Sequence, residues 1–159
     1  MTNLCCDVLK TLEGKTLSTA ESCTGGGIGA ALTAISGSSS VYKGGIISYC
    51  NDVKHALLGV EEAVLEQYGA VSAPVAETMA IGARKVLNTD IAVSVTGLAG
   101  PGGDEYGNPV GTVFVGYADS RRVVSAKFLF QGDRAEVRRQ AIREALKLVL
   151  PEEEGADAW

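Results

Sequence analysis

The stretch TVFVGYADSRRVVSAKFLF, Thr112–Phe130, decides how this chain folds. Thr112–Ala118 and Val123–Phe130 are dense in β-branched and aromatic residues, and the short polar link between them carries Asp119 and Ser120. Two such runs joined by a short turn predict an antiparallel hairpin. Upstream of it strand and helix patterns alternate, which alone would suggest a parallel α/β sheet. The hairpin argues against an all-parallel arrangement. The expectation is therefore α/β: a three-layer α/β/α sandwich with a mixed sheet covered by helices on both faces.

Working outward, Ile91–Val95 reads as a buried strand, and Ser72 caps a helix with Pro74 in its first turn. Further upstream, Asn51 reads as the N-cap of a helix through Leu58, and Glu61–Tyr68 as a short helix. Strands are expected at Lys15–Ala20 and Gly45–Cys50, and helices at residues 2–13 and 25–35. Downstream, Asp133–Leu150 repeats Val137, Ala141, Ala145, Leu148 and Val149 at helical spacing, and Asp133 with Glu136 forms a capping box. Residues 1–159 are expected to make one domain, with 151–159 an acidic tail.

The chain of 159 residues contains 20 glycines and one histidine. A single histidine excludes a zinc site built from several, and leaves a Ser-His-Asp triad only His55 as its base. The net charge of −5 opposes nucleic-acid binding, which needs Lys and Arg to neutralise phosphates. No apolar run reaches the ~18 residues of a spanning helix, so no membrane association is expected. Cys5, Cys6, Cys23 and Cys50 match no metal-ligand spacing, and the N-terminus does not read as a secretory signal. They are expected to be reduced thiols of a cytoplasmic protein, with no metal and no cofactor. Helical faces and hairpin edges leave self-association open.

Four segments could carry chemistry. In STAESCTGGG, Ser18–Gly27, a strand runs into a helix, so Ser22, Thr24, Gly25 and Gly26 stand where backbone N–H groups accept an anion; the glycines would equally serve close packing. The serine cluster Ser36–Ser40 reads as a flexible loop, but the stretch after it holds Lys54. With Asn51 as N-cap, Lys54 sits at the third helical position, where a cation opposes the helix dipole. That dipole, with some burial, would lower its pKa and supply a neutral amine as base, and Ser–Lys pairs catalyse without histidine. A solvated surface lysine is the alternative. His55 points to another side of the helix and reads as structural, while Tyr49 at a strand end would line a cleft or pack in the core.

The third segment, SVTGLAGPGG (Ser94–Gly103), is a buried strand ending in a glycine-rich loop, where Thr96 and Gly97 could meet a ligand. In the fourth, Arg134 and Arg138 are i, i+4 neighbours able to clamp a phosphate or carboxylate, with Arg139 beside them. For any one of these arginines a surface salt bridge is the alternative.

Together AESCTGG, GSS, S-Y-x-N-x-x-K, GAVS-x-PV-x-E-x-M-A-x-GA, S-x-TG-x-AGP-x-G, PVGTV and GDR-x-x-VR, in this order over Leu17–Leu150, resemble one family. It is the C-terminal domain of the competence/damage-inducible protein CinA, the nicotinamide-nucleotide amidohydrolase (PncC) family. The resemblance implies hydrolysis of the carboxamide of nicotinamide mononucleotide, a small-molecule nucleotide substrate, to nicotinate mononucleotide and ammonia. It implies Ser39 as nucleophile, with Ser38 and Ser40 as neighbours, and Lys54 as base. It also implies that Ser22, Tyr49 and Thr96 line the site and that Arg138, with Arg134 and Arg139 as competitors, meets the substrate. The phosphate would sit at the Gly25–Gly27 helix terminus or against Arg138. A non-catalytic nucleotide-binding module and a serine amidase of other specificity are the rival readings.

Overall fold

The centre of the sheet is the part whose side chains are buried on both faces. In the computed structural model, which describes residues 1–151, β1 (Leu17–Glu21) is buried at every position. Strands β2 (Tyr42–Ile47), β3 (Ile91–Gly97), β4 (Thr112–Ala118) and β5 (Val123–Leu129) complete one sheet in the order β2-β1-β3-β4-β5. β1 pairs parallel with β2 and β3, while β3–β4 and β4–β5 are antiparallel. The hairpin read from Thr112–Phe130 is present, and Asp119 closes it. Its Oδ1 accepts from the Arg121 and Arg122 amides at 2.7 and 2.8 Å, the local side-chain bonding that makes aspartate a turn residue.

Helices cover both faces. On one lie α1 (Thr2–Thr11), α2 (Gly27–Thr33) and α6 (Arg134–Val149). Val8, Ile28, Leu32, Val137 and Leu146 from these helices pack on Leu17, Val93, Val95, Val113 and Val115. On the other lie α3 (Asn51–Leu58), α4 (Glu62–Tyr68) and α5 (Ala73–Leu87), whose Leu58, Leu65, Val75 and Met79 meet Ala20 and Ala92. Small side chains on this sheet face let α5 settle close. Ser94 Oγ donates to the Ala76 carbonyl, and a Cβ at Gly116 would collide with that same carbonyl.

Gly82 has the matching role between helices, because a Cβ there would run into the Leu58 carbonyl at the end of α3. Gly82→Ala is therefore expected to destabilise the fold by about 1–3 kcal/mol, the usual cost of overpacking. Urea unfolding measures it; an unchanged midpoint would mean that α3 can move away freely.

Boundaries differ from expectation where tertiary contacts extend an element. The strand expected at Gly45–Cys50 starts at Tyr42, because Leu17↔Tyr42 begins the β1–β2 pairing and the Tyr42 hydroxyl bonds Thr19 Oγ1 at 2.9 Å. α2 starts at Gly27 rather than Gly25, since Gly25 and Gly26 adopt left-handed φ of +58° and +95°. Cys50, in extended backbone, is the N-cap of α3; Asn51 is its first residue and Lys54 its fourth. Of the capping box, Asp133 Oδ1 accepts from the Glu136 amide at 2.9 Å, while the Glu136 carboxylate turns to Arg139. From Glu152 onward the expected acidic tail lies outside the described residues. Among those described, no helix is long and apolar enough to cross a membrane.

Candidate active site

The chain leaves β1 over one face of the sheet and β2 over the other, which opens a crevice at their C-terminal ends. There Ser22 follows β1, Ser48 and Tyr49 follow β2, and Thr96 and Gly97 end β3. A cavity of about 300 Å³ occupies the spot, lined by Ser22, Cys23, Tyr49, Asn51, Lys54, Ala70, Val71, Thr96–Gly100, Gly102 and Arg134. One wall is the loop 98–111 between β3 and β4. Asp104 Oδ1 accepts from the Tyr106 and Asn108 amides, Asn108 Nδ2 donates to Val71 O at 3.1 Å, and the Tyr106 hydroxyl donates to Glu66 O at 2.7 Å. Thr96 Oγ1 ties the opposite side by donating to Ala70 O at 2.8 Å.

Lys54 is the chemically unusual group. Its side chain enters the protein and is 2% exposed, with Nζ 2.9 Å from Ser22 Oγ and 2.7 Å from the Ser48 carbonyl. It makes no ion pair with a carboxylate among the described residues. Burial pushes its pKa below the usual lysine value of 10.5. The lowered value agrees with the expectation, and of the two causes named there burial is the one seen to act. Cys23, next to Ser22, is pushed by burial up to about 11, so it stays a thiol and is a poor nucleophile.

The Ser22 loop is built around a buried carboxylate. Glu21, 1% exposed, accepts from Thr24 Oγ1 (2.7 Å), Thr19 Oγ1 (3.3 Å) and the amides of Gly26, Ile28 and Gly29 (2.9–3.1 Å). The anion expected at the Gly25–Gly27 terminus is thus supplied by the chain itself. Thr24 is fully buried against Glu21, and neither it, Gly25 nor Gly26 lines the cavity. From α6, Arg138 braces the same loop through the Cys23 carbonyl (Nε, 3.0 Å) and the Thr24 carbonyl (3.1 Å).

Of the residues singled out from sequence, Ser22, Tyr49, Lys54, Thr96 and Gly97 therefore come together. Arg134, not Arg138, reaches the cavity, donating to Gly100 O at 2.6 Å and to the Tyr49 hydroxyl at 3.0 Å. Arg139 pairs with Glu136 on the surface. Ser39 is not brought to Lys54. It sits in a short 3-10 turn, Ser38–Ser40, before β2, whereas Lys54 follows that strand. A six-residue strand, roughly 20 Å long at about 3.3 Å per residue, separates the two ends. His55 bonds Val60 O through Nδ1 at 2.8 Å and does not line the cavity. The role of Glu21 escaped the sequence reading; its only trace was an acidic residue at the end of a strand of small and uncharged residues, followed shortly by Thr and glycines.

The fold is that of one protein class: the chain belongs to the CinA C-terminal domain family, whose model matches residues 2–152. It is 49% identical over 141 residues to the nicotinamide-nucleotide amidohydrolase PncC of Enterobacter agglomerans, covering 88% of this chain and 86% of that one. It is 54% identical over 129 residues to a CinA-like protein of Rippkaea orientalis, covering 79% of this chain but 31% of that protein. The chain thus spans about a third of that longer relative. A CinA superfamily protein of Escherichia coli superposes with a TM-score of 0.90 at 36% identity, over 92% of this chain and 86% of that one.

Proposed function

We propose that this chain hydrolyses the carboxamide of nicotinamide mononucleotide, giving nicotinate mononucleotide and ammonia, with Ser22 as nucleophile and Lys54 as base. The 2.9 Å contact between Lys54 Nζ and Ser22 Oγ carries this reading. The name of the Enterobacter agglomerans relative, which matches nearly the whole chain, supports the substrate. In the neutral amine, one N–H is held by the Ser48 carbonyl, which leaves the lone pair to take the Ser22 proton as Oγ attacks the carboxamide carbon. The Ala99, Gly100 and Gly102 amides, on the cavity wall and without hydrogen bonds among the described residues, are suited to hold the oxyanion. The Lys54 ammonium then gives its proton to the leaving nitrogen. Water, deprotonated by the regenerated amine, splits the acyl-enzyme and frees the acid. Arg134 at the mouth meets the substrate phosphate. In the cytoplasm such a reaction would serve pyridine-nucleotide salvage.

The test is ammonia release from nicotinamide mononucleotide by purified protein. Ser22→Ala is expected to lower kcat by about a thousandfold or more, and Ser39→Ala to stay within about twofold of wild type. The opposite ranking would return the nucleophile to Ser39. Tight binding with no ammonia from the wild type would mark a nucleotide-binding module instead.

A further inference from the structure

A second cavity, also about 300 Å³, lies on the far side of Arg134, between Pro101, Val110, Gly132 and Asp133. Both cavities are lined by Ala99, Gly100 and Arg134, so what parts them is a stretch of backbone and one side chain. The backbone part is thin, because Gly100 has no side chain and a Cβ there would approach Val110 Cγ1 to 3.3 Å. The side-chain part is a bar. Arg134 is exposed, and its guanidinium is held across the boundary by only two bonds, to Gly100 O and to the Tyr49 hydroxyl.

The two chambers differ in chemistry. The first ends at Ser22 and Lys54, with the guanidinium at its mouth. The second has no cation but Arg134, apolar walls at Pro101 and Val110, and the carboxylate of Asp133, which spends Oδ1 on the Glu136 amide. Such walls suit a flat uncharged ring with amino or hydroxyl donors, not a second free phosphate. If a pyridine ring sits at Ser22 and its phosphate at Arg134, anything esterified to that phosphate points at the second chamber.

From this we propose that the chamber behind Arg134 is a subsite for a nucleoside joined through the substrate's phosphate, and that Arg134 bars entry to it. The substrate class is thereby set as nicotinamide mononucleotide while the bar is closed, and extended to the dinucleotide when it opens. The proposal rests on the deamidation reading above.

Ammonia release from nicotinamide mononucleotide and from nicotinamide adenine dinucleotide tests it, in wild type, Arg134→Ala, Val110→Trp and the double variant. Wild type is expected to favour the mononucleotide. Arg134→Ala removes a phosphate contact and the bar together, so the kcat/KM ratio should move toward the dinucleotide by about tenfold or more. Val110 does not itself line the first chamber, so Val110→Trp fills the second from its own wall and in the Arg134→Ala background should return most of that shift. Calorimetric binding of both nucleotides to the same set carrying Ser22→Ala gives the ratio where turnover is too slow to measure. A ratio unmoved by Arg134→Ala within about threefold, or a shift that Val110→Trp does not reverse, overturns the subsite while mononucleotide hydrolysis stands. A wild type releasing ammonia from neither nucleotide overturns the deamidation reading first, and the subsite with it.

Discussion

Lys54→Met is expected to abolish ammonia release, lowering kcat by about a thousandfold or more, while the protein remains folded. Methionine matches the buried length of lysine without its amine, so the site keeps its packing and loses only its base. The pH dependence gives a second readout. The proposed base works when neutral, so wild-type kcat/KM should climb as pH rises through the lowered Lys54 pKa, with the midpoint of that limb below 10.5. Stability should follow the same group. With the folded-state pKa below the unfolded value, the unfolded chain holds more protons between the two. Stability therefore increases with pH across that window, and the cost of the buried ammonium is fully present below it. Lys54→Met should remove this slope, as measured by urea unfolding at several pH values. A variant that keeps both its activity and the slope would show that Lys54 is not the base.

Glu21→Ala is expected to cost about 3–5 kcal/mol, because the Gly26, Ile28 and Gly29 amides and the Thr24 hydroxyl lose their acceptor inside the protein. For a chain of this size that is a fall in Tm of about 10 °C. Glu21→Gln separates the causes. It fills the same space but turns an amide group toward donors, so it should recover the packing and not the charge-assisted bonds. Thermal unfolding of both variants is the measurement, and a loss below about 1 kcal/mol for alanine would mean that water replaces the carboxylate. Because Ser22 is the next residue, kcat should fall along with stability.

The mixed sheet was legible because its evidence is local: two β-branched runs and a turn with Asp119. The crevice at the ends of β1 and β3 was legible for a similar reason, since a glycine-rich segment follows each of those strands. The pairing of Ser22 with Lys54 was not. These residues are 32 positions apart and meet only because β2 returns parallel to β1, whereas Ser39, closer to Lys54 in sequence, is held at the far end of the same strand. Nor could spacing separate Arg134 from Arg138. Both lie on one side of α6, and only the docking of that helix sends Arg138 to the Cys23 and Thr24 carbonyls and Arg134 to the cavity. Glu21 was hidden by its own solution: an ionised group is buried only where donors await it, and three of its donors are backbone amides that no side-chain pattern announces.

Adjacent antiparallel strands such as β3 and β4 need only about 2–5 residues to connect, yet here the chain takes the whole of 98–111 to return. The surplus is anchored at Asn108 and Tyr106, outside the hydrophobic layers, while the Ser22–Lys54 pair depends on strands and helices the loop does not build. Lengthening a loop costs little, only about 0.6 kcal/mol for each doubling. Changes of length or sequence between Gly103 and Val110 can therefore remodel what enters the crevice without disturbing Ser22, Lys54 or the Ala99–Gly102 amides, so that in this fold the range of substrates is free to drift while the reaction stays fixed.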